Sequence, residues 1–238
     1  RRRHPGTGGT DLEYVWEEEQ MIKAVIFDMD GVLIDTEKYL FRYWKQAASE
    51  TGYELTDQIL LGMRSLASEF AVPYFKEYVG EHADYAAIRS RRKELMSQHI
   101  AANGVEKKPK VDELLDYLHA HGYKTAVATA TDPERAKQYL TSIGIYEKFD
   151  QVVCATMVPH GKPMPDVYLY VCEQIGEKPE ECIAIEDSDN GVLSAYRAGC
   201  NVVMVPDLAG PKPETAELLT GLAENLAEVI PILEQMQG

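Results

Sequence analysis

The sequence predicts an α/β fold, a doubly wound parallel sheet that is interrupted by a long helical insertion. Two observations support this fold class. From about residue 108 onwards, short apolar strands alternate with amphipathic helices, as βα repetition requires. Before that point, residues 36–105 have helical periodicity and follow a single apolar run, 23–27. The insertion therefore separates the first strand from the rest of the sheet.

Composition narrows the possible partners. The chain has 238 residues, 45% of them hydrophobic and 26% charged, which is ordinary for a globular protein with a sizeable core. A net charge of -15 disfavours nucleic acid and anionic membranes as partners, because both are polyanions. No apolar run approaches the length of a membrane span. The cysteines at 154, 172, 182 and 200 show no CxxC pairing, which indicates reduced structural thiols in a cytoplasmic protein.

Three parts of the chain are expected to differ in role. Residues 1–20 begin with three arginines and a Gly/Thr-rich stretch, and we interpret them as a leader or disordered tail, with Met21 as the native start. Residues 21–35 and 106–238 are expected to form the core that carries the sheet, and residues 36–105 the helical insertion.

The individual elements follow from periodicity and from breaker residues. In the insertion, a first helix carries Tyr39 to Ala47, and Pro73 stands where it would break or kink a later helix. The other helices expected there span 57–62, 66–79 and 83–102. The core elements are helix 111–121, strand 124–129, a helix from Asp132, strand 151–154, helix 166–175, strand 182–185, helix 189–198, strand 202–205 and a final helix that carries Leu222, Leu226, Val229, Ile230 and Leu233.

Two aspartates, Asp28 and Asp30, end the first strand. Ligands of open α/β sheets bind beyond the carboxyl ends of the strands, where both carboxylates would lie. Crowded carboxylates repel each other, and a divalent cation commonly offsets that repulsion. A β-hairpin is the alternative, because Asp30-Gly31 is a turn signal and 32–34 could form the return strand.

The later strands also end in polar residues that the fold would bring to the same edge. These are Thr129, Lys162 in the loop 161–166, and the pair Glu186 and Asp187. Each has an ordinary explanation, since threonine can end a strand and loop lysines are commonly solvated. We interpret Asp166 as a helix N-cap, Asp187 or Ser188 as a possible cap of helix 189–198, and His160 as a loop residue.

Together these residues fit phosphoryl transfer, which needs a nucleophile, neutralisation of the phosphoryl oxygens and a proton for the leaving group. Asp28 would attack phosphorus and form an aspartyl phosphate, and Asp30 would act as general acid and base. Lys162 and Thr129, which we count among the catalytic residues, would bind the phosphoryl oxygens. Mg2+ would be held by Asp28, Asp187 and the main-chain carbonyl of Asp30. The candidate metal ligands are Asp28, Asp30, Asp187 and Glu186.

The sequence at this point resembles the haloacid dehalogenase-like superfamily, in its phosphatase and β-phosphoglucomutase-like branch. The resemblance covers residues 22–235 and rests on four motifs, which are Phe27-Asp28-Met29-Asp30-Gly31-Val32, Thr129, Gly161-Lys162-Pro163-Met164-Pro165-Asp166 and Glu186-Asp187-Ser188-Asp189-Asn190-Gly191. It implies a Rossmann-like core, an inserted α-helical cap domain that closes over the substrate, Mg2+ dependence and the aspartyl-phosphate mechanism. Hinges are then expected near 35–36 and 105–110.

Departures from the family pattern bear on the reaction. Asp30 is absent from relatives that cleave carbon–halogen bonds, so that reaction is not expected. The mutase branch usually has a histidine where this chain has Leu40, which favours a phosphatase, whereas Ala130-Thr131 resembles the mutase side. Ala130 and Arg64 are expected to bind substrate with Thr129 and Lys162, although Arg64 could equally be a solvated helix residue.

The leading hypothesis is therefore a Mg2+-dependent phosphatase, a phosphoric monoester hydrolase that acts as a monomer on a small phosphorylated metabolite such as a sugar or polyol phosphate. A phosphosugar mutase of the β-phosphoglucomutase type is the alternative with the same chemistry. A receiver-type phospho-acceptor is disfavoured, because such domains are about half this size and accept phosphate on a later strand. A catalytically silent binding protein is disfavoured, because every expected polar group is present.

Overall fold

The sheet has six parallel strands in a computed structural model that describes residues 21–237. Their order is β3-β2-β1-β4-β5-β6, which places the first strand at the centre, between β2 and β4. The strands are β1 (Ala24–Phe27), β2 (Lys124–Thr129), β3 (Gln151–Cys154), β4 (Cys182–Glu186), β5 (Asn201–Met204) and β6 (Gly221–Leu222). This arrangement confirms the predicted Rossmann-like, doubly wound α/β fold.

Helices cover both faces of the sheet, which explains why β1 is apolar at every position. Val25 and Phe27 pack into the core on one face, whereas Ala24 and Ile26 pack into the core on the other. The helices are α1 (Glu37–Ser49), α2 (Asp57–Met63), α3 (Ser68–Tyr78), α4 (Tyr85–Asn103), α5 (Val111–Ala120), α6 (Pro133–Ser142), α7 (Asp166–Ile175), α8 (Asp189–Ala198), α9 (Pro213–Ala216) and α10 (Val229–Gln237). No helix within 21–237 combines the length and apolarity that a bilayer crossing requires.

The helices α1 to α4 follow β1 directly and have a hydrophobic core of their own. Its aromatic centre is formed by Trp44, Phe75 and Tyr85, whose ring centroids lie 5.4–6.4 Å apart. Pro73 lies inside α3 without ending it. We call residues 37–103 the helical insertion; the division of the chain into domains at 35/36 and 105/106 stays a prediction, and the leader predicted at 1–20 lies outside the described residues.

The two segments that connect the helical insertion to the sheet run side by side. The Asp35 amide donates to the Glu106 carbonyl at 2.9 Å, and the Lys108 amide donates to the Leu33 carbonyl at 2.9 Å. Ile34 and Lys107 form an antiparallel bridge between these bonds. The insertion therefore leaves the core and returns to it at one point. The return strand of the alternative hairpin does not form, because residues 31–33 are a turn.

Two local predictions were wrong. The final helix begins at Val229 rather than before Leu222, because Leu222 pairs with Met204 as an edge strand and the Asn225 side chain caps a separate 3-10 turn. Asp166 is not an N-cap, because α7 begins with Asp166 itself, after Pro165. The acid instead occupies the first helical turn, where it interacts favourably with the positive end of the helix dipole.

All four cysteines are buried and free of disulfide bonds. The sulfur atoms of Cys172 and Cys182 lie 3.8 Å apart, which is a contact between thiols and not a covalent bond. This agrees with the interpretation of the cysteines as structural thiols.

Candidate active site

The central strands β1 and β4 deliver three carboxylates to one point. Asp28 follows β1, and Glu186 and Asp187 stand at the end of β4, which is the direct neighbour of β1. Their side chains are 0–3% exposed. One carboxylate oxygen from each residue lies within 4.8 Å of those of the other two. The parallel register therefore assembles the acidic cluster that the sequence predicts at this edge.

Lys162 supplies the positive charge that this cluster needs. Its ammonium group donates to Asp28 Oδ1 at 2.9 Å and to Glu186 Oε1 at 2.7 Å, and it also donates to the Ala128 carbonyl at 3.1 Å. The residue is 1% exposed, so the alternative of a solvated loop lysine is wrong. Burial lowers the pKa of Lys162, but the two carboxylates outweigh burial and raise this pKa above its usual range.

Negative charge nevertheless remains in excess. Burial, together with the Asp28 charge, raises the pKa of Glu186 to about 7, although Lys162 opposes the shift. Burial also raises the pKa of Asp187, and Arg64 only partly offsets it. Glu186 Oε2 and Asp187 Oδ1 are buried without a hydrogen-bond partner. Two orphaned carboxylate oxygens beside Asp28 are the donor set that a hard divalent cation prefers, so the residues fit a Mg2+ ion.

Two glycines leave space for these carboxylates. At Gly31, whose φ is +82°, an added Cβ would lie 2.1 Å from Asp187 Oδ2. At Gly191, in the first turn of α8, a Cβ would lie 1.9 Å from Glu186 Oε2. The side chain of Ser188 accepts from the Gly191 amide at 3.2 Å and so caps the helix, as predicted. The turn after β1 and the start of α8 therefore both require the absence of a side chain.

Asp30 lies apart from the carboxylate cluster. Its Oδ1 accepts from the Thr36 hydroxyl at 2.6 Å and its Oδ2 from the Thr131 hydroxyl at 3.0 Å. Burial raises the pKa of Asp30, while both threonine hydroxyls lower it. A carboxyl group with a raised pKa suits proton donation. Because hydroxyls hold both oxygens of its side chain, the part of Asp30 that suits a metal ligand is the main-chain carbonyl.

Thr129 and Ala130 lie at the end of β2, beside β1. Thr129 is fully buried, and its hydroxyl accepts from the Thr131 amide at 3.1 Å. Ala130 lines the cavity that opens above the cluster, together with Asp28 and Lys162. The structure therefore brings the tip of β2 to the same edge.

Arg64 comes from the helical insertion, directly after α2. Its Nη2 donates to the carboxylate Oδ2 of Asp187 and, at 2.9 Å, to the Asp187 carbonyl. Its Nε lies 3.7 Å from Glu37 Oε2. Arg64 is 6% exposed, so the alternative of a solvated helix arginine is wrong. Burial and neighbouring acids raise the pKa of Glu37 to about 8, although Arg64 opposes the shift.

The helical insertion covers the site. Asn190 donates to the carbonyls of Gly62 at 3.0 Å and Arg64 at 2.8 Å. The Ala67 amide donates to the Lys162 carbonyl at 2.9 Å. At the rim, His160 is exposed, as expected of a loop residue, and pairs with Glu69 of α3 at 3.0 Å. These contacts enclose a cavity of about 470 Å3 between the insertion and the sheet edge.

Several residues of the site were not expected from the sequence. Tyr168 donates its hydroxyl hydrogen to Glu186 Oε1, and it is fully buried. Glu37 approaches Arg64, and Arg92 of α4 lines the cavity. Tyr168 and Arg92 lie within long helices whose orientation toward the site depends on tertiary packing. For Glu37, the only signal was its position beside the expected hinge at 35–36.

Comparison with known proteins identifies the family. The model of the haloacid dehalogenase-like hydrolase family matches residues 25–205. A phosphorylated carbohydrates phosphatase of Thermotoga maritima is 31% identical, over 75% of this chain and 82% of the relative. Hexitol phosphatase A of Escherichia coli is 31% identical, over 77% and 82% of the two chains. These matches confirm the prediction of a phosphoric monoester hydrolase of this type.

Solved structures agree with the sequence comparison. The crystal structure of CbbY from Rhodobacter sphaeroides in complex with phosphate is 25% identical in sequence and has a TM-score of 0.73. The similarity covers 90% of this chain and 100% of the CbbY chain. The similarity therefore spans both the sheet and the helical insertion.

Proposed function

Because the chain belongs to the haloacid dehalogenase-like hydrolase family, we propose that it is a Mg2+-dependent phosphatase that hydrolyses a small sugar or polyol phosphate through an aspartyl phosphate. The observation that carries the proposal is Asp28 held at 2.9 Å by the buried Lys162, at the floor of a covered cavity. The substrate class is supported by the relatives, which are named for phosphorylated carbohydrates and hexitols.

Asp28 is the proposed nucleophile. Lys162 binds its Oδ1, which fixes the carboxylate and leaves the second oxygen for attack on phosphorus. A bond forms between this oxygen and phosphorus while the ester bond to the alcohol breaks. Lys162 and the tip of β2, with Thr129 and Ala130, bind the phosphoryl oxygens in this scheme and offset their charge.

Asp30 is the proposed general acid and base. Its carboxyl group donates a proton to the departing alcohol oxygen, and the raised pKa keeps that proton available. The resulting carboxylate then accepts a proton from water, which attacks phosphorus and releases inorganic phosphate and free Asp28. The hydroxyls of Thr36 and Thr131 hold the carboxyl group in place for both steps.

Asp28, Asp187 and the main-chain carbonyl of Asp30 would hold the Mg2+ ion, with Glu186 beside them. When bound, the ion supplies positive charge that lets Asp28 approach an anionic phosphoryl group. The orphaned oxygens of Asp187 and Glu186 support this assignment. Arg64, which lines the cavity and binds Asp187, would also bind the substrate in this scheme.

A phosphatase is favoured over a phosphosugar mutase. Leu40 lines the cavity where the mutase branch usually has a histidine, and no histidine within residues 21–237 lines the cavity. Without that histidine, transfer of the phosphoryl group to water is the simpler outcome. We further propose that residues 36–105 act as a cap domain, that the core comprises 21–35 and 106–238, and that the enzyme acts as a cytoplasmic monomer.

The test is phosphate release from a panel of sugar and polyol phosphates in the presence of Mg2+, with Asp28→Asn as the blank. We expect turnover by the unmodified chain, none by Asp28→Asn, and loss of turnover on chelation that returns with Mg2+. Turnover by Asp28→Asn would refute the nucleophile. Interconversion of sugar phosphate isomers after addition of a sugar bisphosphate, with little release of phosphate, would instead establish the mutase.

A further inference from the structure

All three hydrogen atoms of the Lys162 ammonium group are committed to protein acceptors. A lysine ammonium has three N–H donors. These donate to Asp28 Oδ1 at 2.9 Å, to Glu186 Oε1 at 2.7 Å and to the Ala128 carbonyl at 3.1 Å. In the proposed function, Lys162 also binds a phosphoryl oxygen. It must therefore give up or share one of these three bonds when a phosphoryl group enters.

The two carboxylate partners of Lys162 differ in what they would retain. Among the residues that the structure describes, Asp28 Oδ1 accepts from Lys162 alone, whereas Glu186 Oε1 also accepts from the Tyr168 hydroxyl. The other carboxylate oxygen of Glu186 is buried without a hydrogen-bond partner. Without Tyr168, the departure of Lys162 would leave the buried Glu186 carboxylate with no donor from the described residues, which is costly.

Tyr168 is built into the core as a fixed donor. It lies in the first turn of α7, directly after the loop that carries Lys162, and it is fully buried. The Lys162 ammonium lies 5.4 Å from the centre of its ring. Burial, followed by the charges of Glu186 and Asp28, raises the pKa of Tyr168 well above its usual value, so the phenol stays protonated. Tyr168 therefore faces both members of the Lys162–Glu186 pair, yet the phosphoryl-transfer scheme assigns it no role.

We propose that Tyr168 is a positioning residue, whose hydroxyl retains Glu186 while the Lys162 ammonium turns from Glu186 to a phosphoryl oxygen of the substrate. This inference rests on the proposed function, in which Lys162 binds the phosphoryl group. Asp28 keeps its own bond to Lys162, because that bond orients the nucleophile. Tyr168 does not line the cavity, and it acts only through Glu186.

The experiment removes only the hydroxyl group. Tyr168→Phe keeps the aromatic ring beside Lys162 and deletes the donor to Glu186. Tyr170→Phe is the matched control, because Tyr170 lies on the same helix and packs against the same core, and its hydroxyl forms no hydrogen bond with a described residue. For the unmodified chain and both variants, calorimetry gives the Kd of inorganic phosphate in the presence of Mg2+. Kinetics give kcat and KM for the best sugar phosphate of the panel.

We expect Tyr168→Phe to raise the Kd of phosphate and the KM of the sugar phosphate by about 10- to 100-fold. The value of kcat should change less than about threefold, because Lys162 turns when the phosphoryl group binds, before the chemical step. Tyr170→Phe should keep the constants of the unmodified chain. In the Glu186→Gln background, Tyr168→Phe should raise the Kd only about threefold, because a neutral amide loses less than a carboxylate when a donor is removed.

An unchanged Kd of phosphate in Tyr168→Phe would overturn the inference, while turnover of the sugar phosphate would leave the proposed function standing. A lower melting temperature in circular dichroism with that unchanged Kd would mark a merely structural role. An equally large effect in the Glu186→Gln background would also overturn the inference, because the hydroxyl would then not act through the carboxylate. If no compound is hydrolysed, the proposed function fails, and the Kd of phosphate still decides the inference. If the unmodified chain does not bind phosphate either, both fail.

Discussion

Gly191→Ala should destabilise the protein, although the same change in an ordinary helix is stabilising. Gly191 lies in the first turn of α8, where alanine is favoured over glycine by about 1 kcal/mol. The structure reverses this expectation, because the new Cβ would lie 1.9 Å from Oε2 of Glu186 and 2.2 Å from its carboxyl carbon. The carboxylate must therefore move.

The size of the effect follows from the partners that Glu186 would lose. Its Oε1 accepts from Lys162 at 2.7 Å and from Tyr168. Breaking a buried, hydrogen-bonded ion pair costs about 3–5 kcal/mol. After subtraction of the helical gain, the free energy of unfolding should fall by about 2–4 kcal/mol. For a chain of this size the melting temperature would drop by about 5–15 °C.

Urea unfolding of a double-mutant cycle with Glu186→Ala is the assay. In the Glu186→Ala background the carboxylate is gone, so Gly191→Ala should be neutral or stabilising by up to about 1 kcal/mol. The single variant should also lose about 100-fold in kcat/KM, because Lys162 loses one of the three partners that position it. If Gly191→Ala were as stable and active as the unmodified chain, the placement of Glu186 against α8 would be wrong.

Three further predictions concern Lys162, Asn190 and His160, side chains that lie at or near the site. Lys162→Met leaves buried carboxylates without their counter-charge, so the free energy of unfolding in urea should fall by about 3–5 kcal/mol. The added change Glu186→Gln should reduce this loss of stability without restoring turnover. Unaltered stability of the single variant would contradict this prediction. Asn190→Ala removes two hydrogen bonds to the helical insertion, each worth about 1 kcal/mol. This loss should raise KM about 30-fold with little change in kcat. An unchanged KM would show that these bonds do not hold the insertion closed. The hydrogen bond to Glu69 raises the pKa of His160, so the pair stabilises the protein fully below a pH of about 6.5 and loses this effect as pH rises through the folded-state pKa. The melting temperature of the unmodified chain should therefore fall with pH across this range, and His160→Gln should lack this dependence. An identical pH dependence in the variant would count against the pair.

The strand tips were predictable because their signal is local. An apolar run buried on both faces ends abruptly at Asp28, and the parallel order of strands then places Glu186 and Asp187 beside it. Lys162 was identified in the same way from its rigid flanking loop. Its full burial was less expected, since lysine is ordinarily exposed and only the two facing carboxylates stabilise it there.

Other features depend on contacts that no local pattern encodes. The edge strand at Gly221–Leu222 has two residues, too few for alternation to be detected, and its leucine also fits the helical spacing of the residues after it. Arg92 and Arg91 are adjacent in a helix with similar surroundings in sequence, yet only Arg92 lines the cavity. The packing of α4 on α1 determines which of the two side chains faces the cavity.

The pairing of Ile34 with Lys107 brings the two ends of the helical insertion together, so the insertion is a closed loop attached to the sheet at one point. The entropic cost of closing such a loop grows only slowly with its length, so the number of residues between the two connectors has little influence on the strands below. We therefore expect the length of the insertion to vary at this junction with little entropic cost to the sheet.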